Sequence, residues 1–142
     1  MLPEDIQERA IARALSRFHD TRIEPVLRAY FAQVAPASRS ANFIAQNATL
    51  LQKRFDQFNQ MVVPSPLLLG NQLSLADCGF APSFAILRCL QGLLKFNFEL
   101  PTPLGAYERE LVAHSSVCDE YDDYEHHLKY VGIGQCGNAF WA

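Results

Sequence analysis

The sequence predicts an all-α protein, a bundle of about five helices. Three observations carry that. Apolar residues recur at helical spacing along the chain, which divides into five stretches, while no segment alternates polar and apolar with period two for long. The breaks between stretches fall on helix terminators such as Pro64, Pro66 and Gly70. Three of the five stretches open on a cap signal, at Ser74, Thr102 and Ser116. With 142 residues, 49% of them hydrophobic, the chain suits one domain with a real core. It contains no internal repeat.

The first segment spans about Pro3 to Ala35. Pro3 suits a first helical turn, and Glu4 and Asp5 suit its positive end. Ile11, Ala14, Leu15 and Phe18 make one apolar stripe, continued with a shift of face by Leu27, Tyr30, Phe31 and Val34. Pro25 removes a backbone donor and predicts a bend near the middle. The second segment, about Ser40 to Val62, repeats the pattern with Ile44, Ala48, Leu51, Phe55 and Phe58. The fourth opens at Thr102-Pro103, a favoured cap and first-turn pair, and reaches about His114. Ser116-x-x-Asp119 offers a capping box for a fifth helix to about Tyr130.

The third segment is the most informative. After the apolar run to Leu69, Gly70 predicts a turn, and Ser74-x-x-Asp77 has capping-box spacing. The Ser74 hydroxyl should accept from the Asp77 N–H, while the Asp77 carboxylate reaches back to the Ser74 N–H. Leu73 and Cys78 stand where a hydrophobic staple would, and a buried helix should run from Leu75 to about Leu94. The pattern Gly70-x-x-x-Ser74-x-Ala76-Asp77, with Pro82 five residues after Asp77, resembles the signature of the all-helical C-terminal domain of glutathione S-transferases. In that family the motif starts the central buried helix. The start LPEDIQERA is similar to the family's inter-domain linker and first helix. Phe18-x-Asp20-x-x-Ile23-Glu24-Pro25 resembles the middle of that helix, and Leu104 to Asp119 the later helix pair, with Tyr107 where many members carry Trp.

The resemblance implies a helical domain over 1–131 followed by a Gly-rich tail over 132–142. Complete family members also carry an N-terminal thioredoxin-like βαβ domain, which binds glutathione and activates its thiol. No βαβ pattern stands in this sequence, so no catalytic residue is carried over, and the chain alone is not expected to catalyse transfer. Two functions are implied. One is the substrate-binding and dimerisation half of a glutathione transferase-like protein, with glutathione as cosubstrate only when the thioredoxin-like domain is present. The other is a non-catalytic protein–protein interaction module. The partners implied are a second copy, a thioredoxin-like domain, or other proteins.

Candidate site residues follow. Arg9, Arg13 and Arg17 recur every four residues. The family's corresponding helix faces the active-site cleft and the dimer partner, where such a stripe would attract anionic carboxylates. The plainer reading of the stripe, and the favoured one, is a solvated face, with Asp5 four residues before Arg9. Tyr30, Phe31 and Phe43 are candidates for an apolar substrate pocket, although such residues are more often plain core. Trp141, with Phe140, would pack over a substrate site as family tails sometimes do. Gly70, Ser74 and Asp77 are structural.

Composition excludes several classes. A net charge of -3 gives no basic field for nucleic acid. No apolar run approaches the ~20 residues of a membrane span, and MLPEDIQERA lacks a signal-peptide core, which predicts a cytoplasmic protein. Cys78, Cys89, Cys118 and Cys136 have no zinc-like spacing. Cys78 and Cys89, eleven residues apart, should share a buried helix face, and Cys136 is the thiol placed for exposure. Asp122, Asp123, Glu125, His126 and His127 read as a surface helix with local ion pairs rather than a metal site, because the two neighbouring histidines point about 100° apart. Gly132-x-Gly134-x-x-Gly137 spells a dinucleotide fingerprint but lacks the strand before it and the helix after it. No other catalytic motif stands in the chain, and His19 and His114 have no nucleophile near in sequence.

Overall fold

The computed structural model describes residues 1–130, Tyr130 by its backbone alone. Six α-helices form among these residues: α1 (Ile6–Phe18), α2 (Glu24–Ala29), α3 (Ala41–Met61), α4 (Phe80–Leu94), α5 (Thr102–Val112) and α6 (Cys118–Tyr130). Apart from an isolated bridge between Leu67 and Gly70, no β-pairing occurs among them. The five expected segments are therefore present, the first divided into two helices.

That division has a local cause. Pro25 cannot donate to Thr21, and its ring would crowd that carbonyl. The chain responds with a π-helical turn, His19–Ile23, in which the Glu24 N–H donates to the His19 carbonyl. One extra residue in the turn re-phases α2 against α1. The bend expected at Pro25 is thus a wide turn placed just before it.

The helix starts show where local rules hold. α1 starts at Ile6, so Pro3 lies ahead of the first turn it was expected to open, and Asp5 caps the helix, accepting from the N–H groups of Gln7 and Glu8, both at 2.9 Å. Asp5 is therefore a cap rather than a partner placed for Arg9. The expected stripe on α1 is rotated: Ala12 and Leu15 are buried, whereas Ile11 is 47% exposed and Ala14 is exposed. Ser40 caps α3 by accepting from Phe43, as the second segment's start requires. Thr102 is the first residue of α5 and makes no cap bond, because Pro101 stands in the capping position.

The Ser74–Asp77 pair forms, but not as a simple helix cap. Residues 75–79 make tight turns, and α4 begins only at Phe80, five residues later than the spacing predicts. The Asp77 carboxylate does reach back to the Ser74 N–H, at 2.9 Å. The Ser74 hydroxyl donates to the same carboxylate at 2.8 Å and accepts from Ala76 rather than from Asp77. Asp77's other oxygen accepts from the Leu68 N–H at 3.2 Å and the Tyr107 hydroxyl at 3.0 Å. This carboxylate, 1% exposed, ties the approach loop, the turn and α5 together. Gly70 turns the approach with φ of 99°, a left-handed conformation that favours glycine. Cys78 lies before α4 and is exposed, and Cys89 on α4 is half-buried, which corrects the expectation that the two share a buried helix face. Pro82 is tolerated because it falls in the first turn of α4, where no intrahelical N–H is lost.

Helix α4 is central, touching α2, α5 and α6. Phe80, Phe84, Leu87 and Leu90 on it are all 1% exposed or less. Phe80 packs edge-on to Tyr107 and tilted against Phe58, joining α3, α4 and α5 through aromatic contacts. Arg88 of α4 and Glu108 of α5 form a half-buried two-pronged ion pair. The buried Asn47 amide of α3 donates to the Val26 carbonyl at 2.9 Å and fixes α2 against α3.

Candidate functional site: a small cleft between α2, α4 and α6

After the π-turn, Glu24, Leu27, Arg28 and Phe31 fall at i, i+3, i+4 and i+7, on one face. This face meets Ser83 and Ile86 of α4 and Tyr124 of α6 to enclose a cleft of about 140 Å³. Its walls divide by chemistry. Leu27 and Ile86 are aliphatic. Phe31, 40% exposed, and Tyr124 are aromatic. Glu24 and Arg28 form an i,i+4 ion pair, with Arg28 Nε at 2.7 Å from the carboxylate. The guanidinium stands 5.9 Å over the Phe31 ring, within cation–π range. The hydrogen bond to Glu24 raises Arg28 above the ordinary guanidinium value and keeps it charged.

Behind the cleft lies a polar relay that runs from the buried Ser83 and His19 to the exposed Asp20. His19, 4% exposed, sits in the π-turn. Its Nε2 is 2.8 Å from the Ser83 hydroxyl, and its Nδ1 is 2.8 Å from the Asp20 carboxylate. The ring is also 4.7 Å from Phe80. A Cβ on Gly79 would come within 2.5 Å of the imidazole, so only glycine leaves room for the ring there. Ser83 thus belongs both to this relay and to the cleft wall.

A larger groove, about 1080 Å³, runs between α3 and residues 94–99. It is open and lined by mixed side chains such as Thr49, Gln52 and Lys53. The Gln52 amide is already committed to the Glu99 backbone. The smaller cleft is the stronger candidate because aromatic, charged and buried hydrogen-bonding groups converge on it.

The expected site residues are distributed unevenly. Phe31 lines the cleft. Tyr30, its neighbour, does not: it is fully buried, stacked on Phe96 at 4.5 Å, and its hydroxyl donates to the Ile44 carbonyl. Burial also pushes the Tyr30 phenol up to about 12. With no accessible surface, Tyr30 is core, a correction to its expected place in a pocket. Phe43 is half-buried on α3 and away from the cleft lining. Arg13 and Arg17 are exposed and Arg9 half-exposed, on the face of α1 opposite Leu15, and none lines the cleft. Trp141, Phe140, Cys136 and the Gly132–Gly137 pattern lie outside the described residues. Sequence reading missed Glu24, Arg28, Ser83 and Tyr124. The Glu24-x-x-x-Arg28-x-x-Phe31 spacing was the available signal; nothing local pointed to Ser83.

No protein-family model matches the chain, and neither does any curated protein. Among solved structures it is similar to a Tau class glutathione S-transferase from mango, Mangifera indica. The TM-score is 0.70 at 18% identity, over 91% of this chain. The fold is that of a glutathione S-transferase C-terminal helical domain. The chain spans 61% of the length of the mango protein. Within this GST-like fold, Ser74 and Asp77 hold the start of the central helix, and the cleft opens on that helix's α2 and α6 side. No helix among the described residues is long and apolar enough to cross a membrane. No group of three side chains suited to hold a metal comes together among them.

Proposed function

We propose that this chain is the substrate-binding half of a glutathione transferase-like protein, and that the cleft between α2, α4 and α6 takes the aryl part of the electrophilic cosubstrate. The observation that carries this reading is convergence. A GST C-terminal-like fold holds a ring-sized cleft with Phe31 and Tyr124 on its walls and a charged Arg28 at Phe31. A thioredoxin-like domain would bind glutathione and activate its thiol. The thiolate would then attack the electrophile held here. The Arg9–Arg13–Arg17 stripe, facing away from the core, would meet that domain, the glutathione carboxylates or a second copy in a cytoplasmic homodimer.

The test is titration of the natural protein with S-benzylglutathione, followed by calorimetry. Phe31→Ala is expected to weaken binding about tenfold, as loss of one packed aromatic wall would. Arg13→Ala should weaken either ligand binding or dimerisation. Binding that is absent in the natural protein, or indifferent to Phe31→Ala, overturns the reading.

A second reading, a non-catalytic protein-interaction module, has its own observation. Ile6 and Val63 are each more than 70% exposed, and Ile11 and Met61 are nearly half exposed, apolar side chains that a partner could cover. Tight capture of one defined protein partner, without affinity for glutathione conjugates, would favour it.

A further inference from the structure

We infer that the cleft selects ring compounds bearing a hydrogen-bond donor, phenols and anilines, and that Ser83, set by His19 and Asp20, is the residue that selects them. This inference rests on the reading that the cleft takes an aryl guest, and it adds the chemistry of that guest.

The argument follows proton inventory. An ionised carboxylate only accepts hydrogen bonds. Asp20 lies 2.8 Å from His19 Nδ1, so Nδ1 carries the proton in that contact. In the neutral ring the other nitrogen is then an acceptor. Ser83 Oγ stands 2.8 Å from that nitrogen, and its single proton is therefore committed to His19. A serine hydroxyl has one proton and two lone pairs, so Ser83 retains only the capacity to accept. Donation to His19 also polarises the oxygen and strengthens it as an acceptor.

The selection is local to Ser83. Arg28 gives its Nε–H and one terminal N–H to Glu24 and sits over Phe31, and its other N–H groups can donate at that end of the cleft. Glu24 is itself an acceptor. Only the Tyr124 hydroxyl can serve either role. Ser83 is 4% exposed, so a guest group placed against it loses water and has to be satisfied by protein. A guest with only acceptors would bring two acceptors face to face. A guest with an O–H or N–H completes the chain guest–Ser83–His19–Asp20. Size limits the guest as well. About 140 Å³ approaches the roughly 150 Å³ of an engineered cavity that takes up benzene, so one ring fits.

The full chain is titrated at pH 8 with phenol, aniline and fluorobenzene, which have similar ring sizes. Binding is followed by calorimetry and located by ring-to-protein NOEs at Phe31 and Tyr124. Phenol and aniline are expected to bind roughly fivefold more tightly than fluorobenzene, the factor one neutral hydrogen bond supplies. Ser83→Ala is expected to abolish that preference while fluorobenzene still binds. Should the alanine variant not fold, Tyr124→Phe decides: the preference for phenol and aniline is expected to persist in it, and its loss there overturns the role of Ser83. Equal affinities with NOEs in the cleft, or a preference that persists in Ser83→Ala, overturn the role of Ser83 and leave the cleft as an aryl site. No binding of any of the three removes the aryl-site reading, and this inference with it.

Discussion

Replacing Asp77 by alanine removes one carboxylate and four hydrogen bonds at once. The donors are the Ser74 N–H, the Ser74 hydroxyl, the Leu68 N–H and the Tyr107 hydroxyl. The Ser74 hydroxyl can rotate to another acceptor. The two backbone groups and the phenol cannot, because they are fixed by the turn, the approach loop and α5. Each buried donor left without a partner costs about 1–3 kcal/mol. Water entering the space vacated by the carboxylate relieves part of that, so the loss should be about 3–5 kcal/mol. A domain of this size has only about 5–15 kcal/mol to lose. Equilibrium urea unfolding followed by far-ultraviolet circular dichroism reads the change. With a slope of about 2 kcal/mol per molar urea, the midpoint should fall by roughly 1.5–2.5 M. Tyr107→Phe removes one donor and leaves the carboxylate three, so it should cost only about 1 kcal/mol. The double variant should be less destabilised than the sum of the two, since the phenol no longer needs Asp77 once its hydroxyl is gone. An Asp77→Ala loss below about 1 kcal/mol, or strict additivity in the cycle, would falsify the view that Asp77 is the shared acceptor of three elements.

Other expectations follow from the same contacts. Gly79→Ala keeps an acceptable backbone, with φ of -78°, but drives a Cβ into the His19 ring; it should cost about 2 kcal/mol and lower Tm on the order of 5–10 °C, and an unchanged Tm would show the ring free to move. Burial and the Asp77 charge raise the Tyr107 phenol well above 10, and burial pushes Tyr121 up to about 12. The fold therefore holds these groups neutral, so their contribution is complete below pH 10 and is lost as pH rises beyond it. Thermal unfolding between pH 9 and 11.5 should show Tm falling, less steeply in Tyr107→Phe; a flat profile would refute the assignment. Cys78 is exposed, yet burial and Asp77 raise its thiol, so maleimide at pH 7 should label it more slowly than it labels a free cysteine in a short peptide.

Much of the helical content was legible because helix formation is a short-range matter. The spacing of Ile44, Ala48, Leu51, Phe55 and Phe58 fixed one face of α3, and Ser40 marked its start. The Ser74–Asp77 pair was legible as a pair for the same reason, since three residues separate its members. Its second role was not. Leu68 and Tyr107 lie 9 and 30 residues from Asp77, and once they share the carboxylate the pair ceases to be a plain helix cap. The helix then starts at Phe80 instead of Leu75. The stripe on α1 was misread by one position for a related reason: the period was right, but which side faces α3 depends on the packing.

By itself the sequence determined the all-α class, the places where the chain breaks, and the GST-like signature around the central helix. These depend on periodicity, proline geometry and capping, all of which act within a few residues. Only the tertiary structure decided the cleft. His19 and Ser83 stand 64 residues apart and meet because a π-turn ahead of Pro25 swings one toward α4 while Gly79 leaves room for its ring. Tyr30 and Phe31, adjacent and alike in composition, part ways there. One is sealed against Phe96 and the other opens onto the cleft, because the two stand in a 3-10 turn whose neighbouring residues point about 120° apart, and the core has only one side.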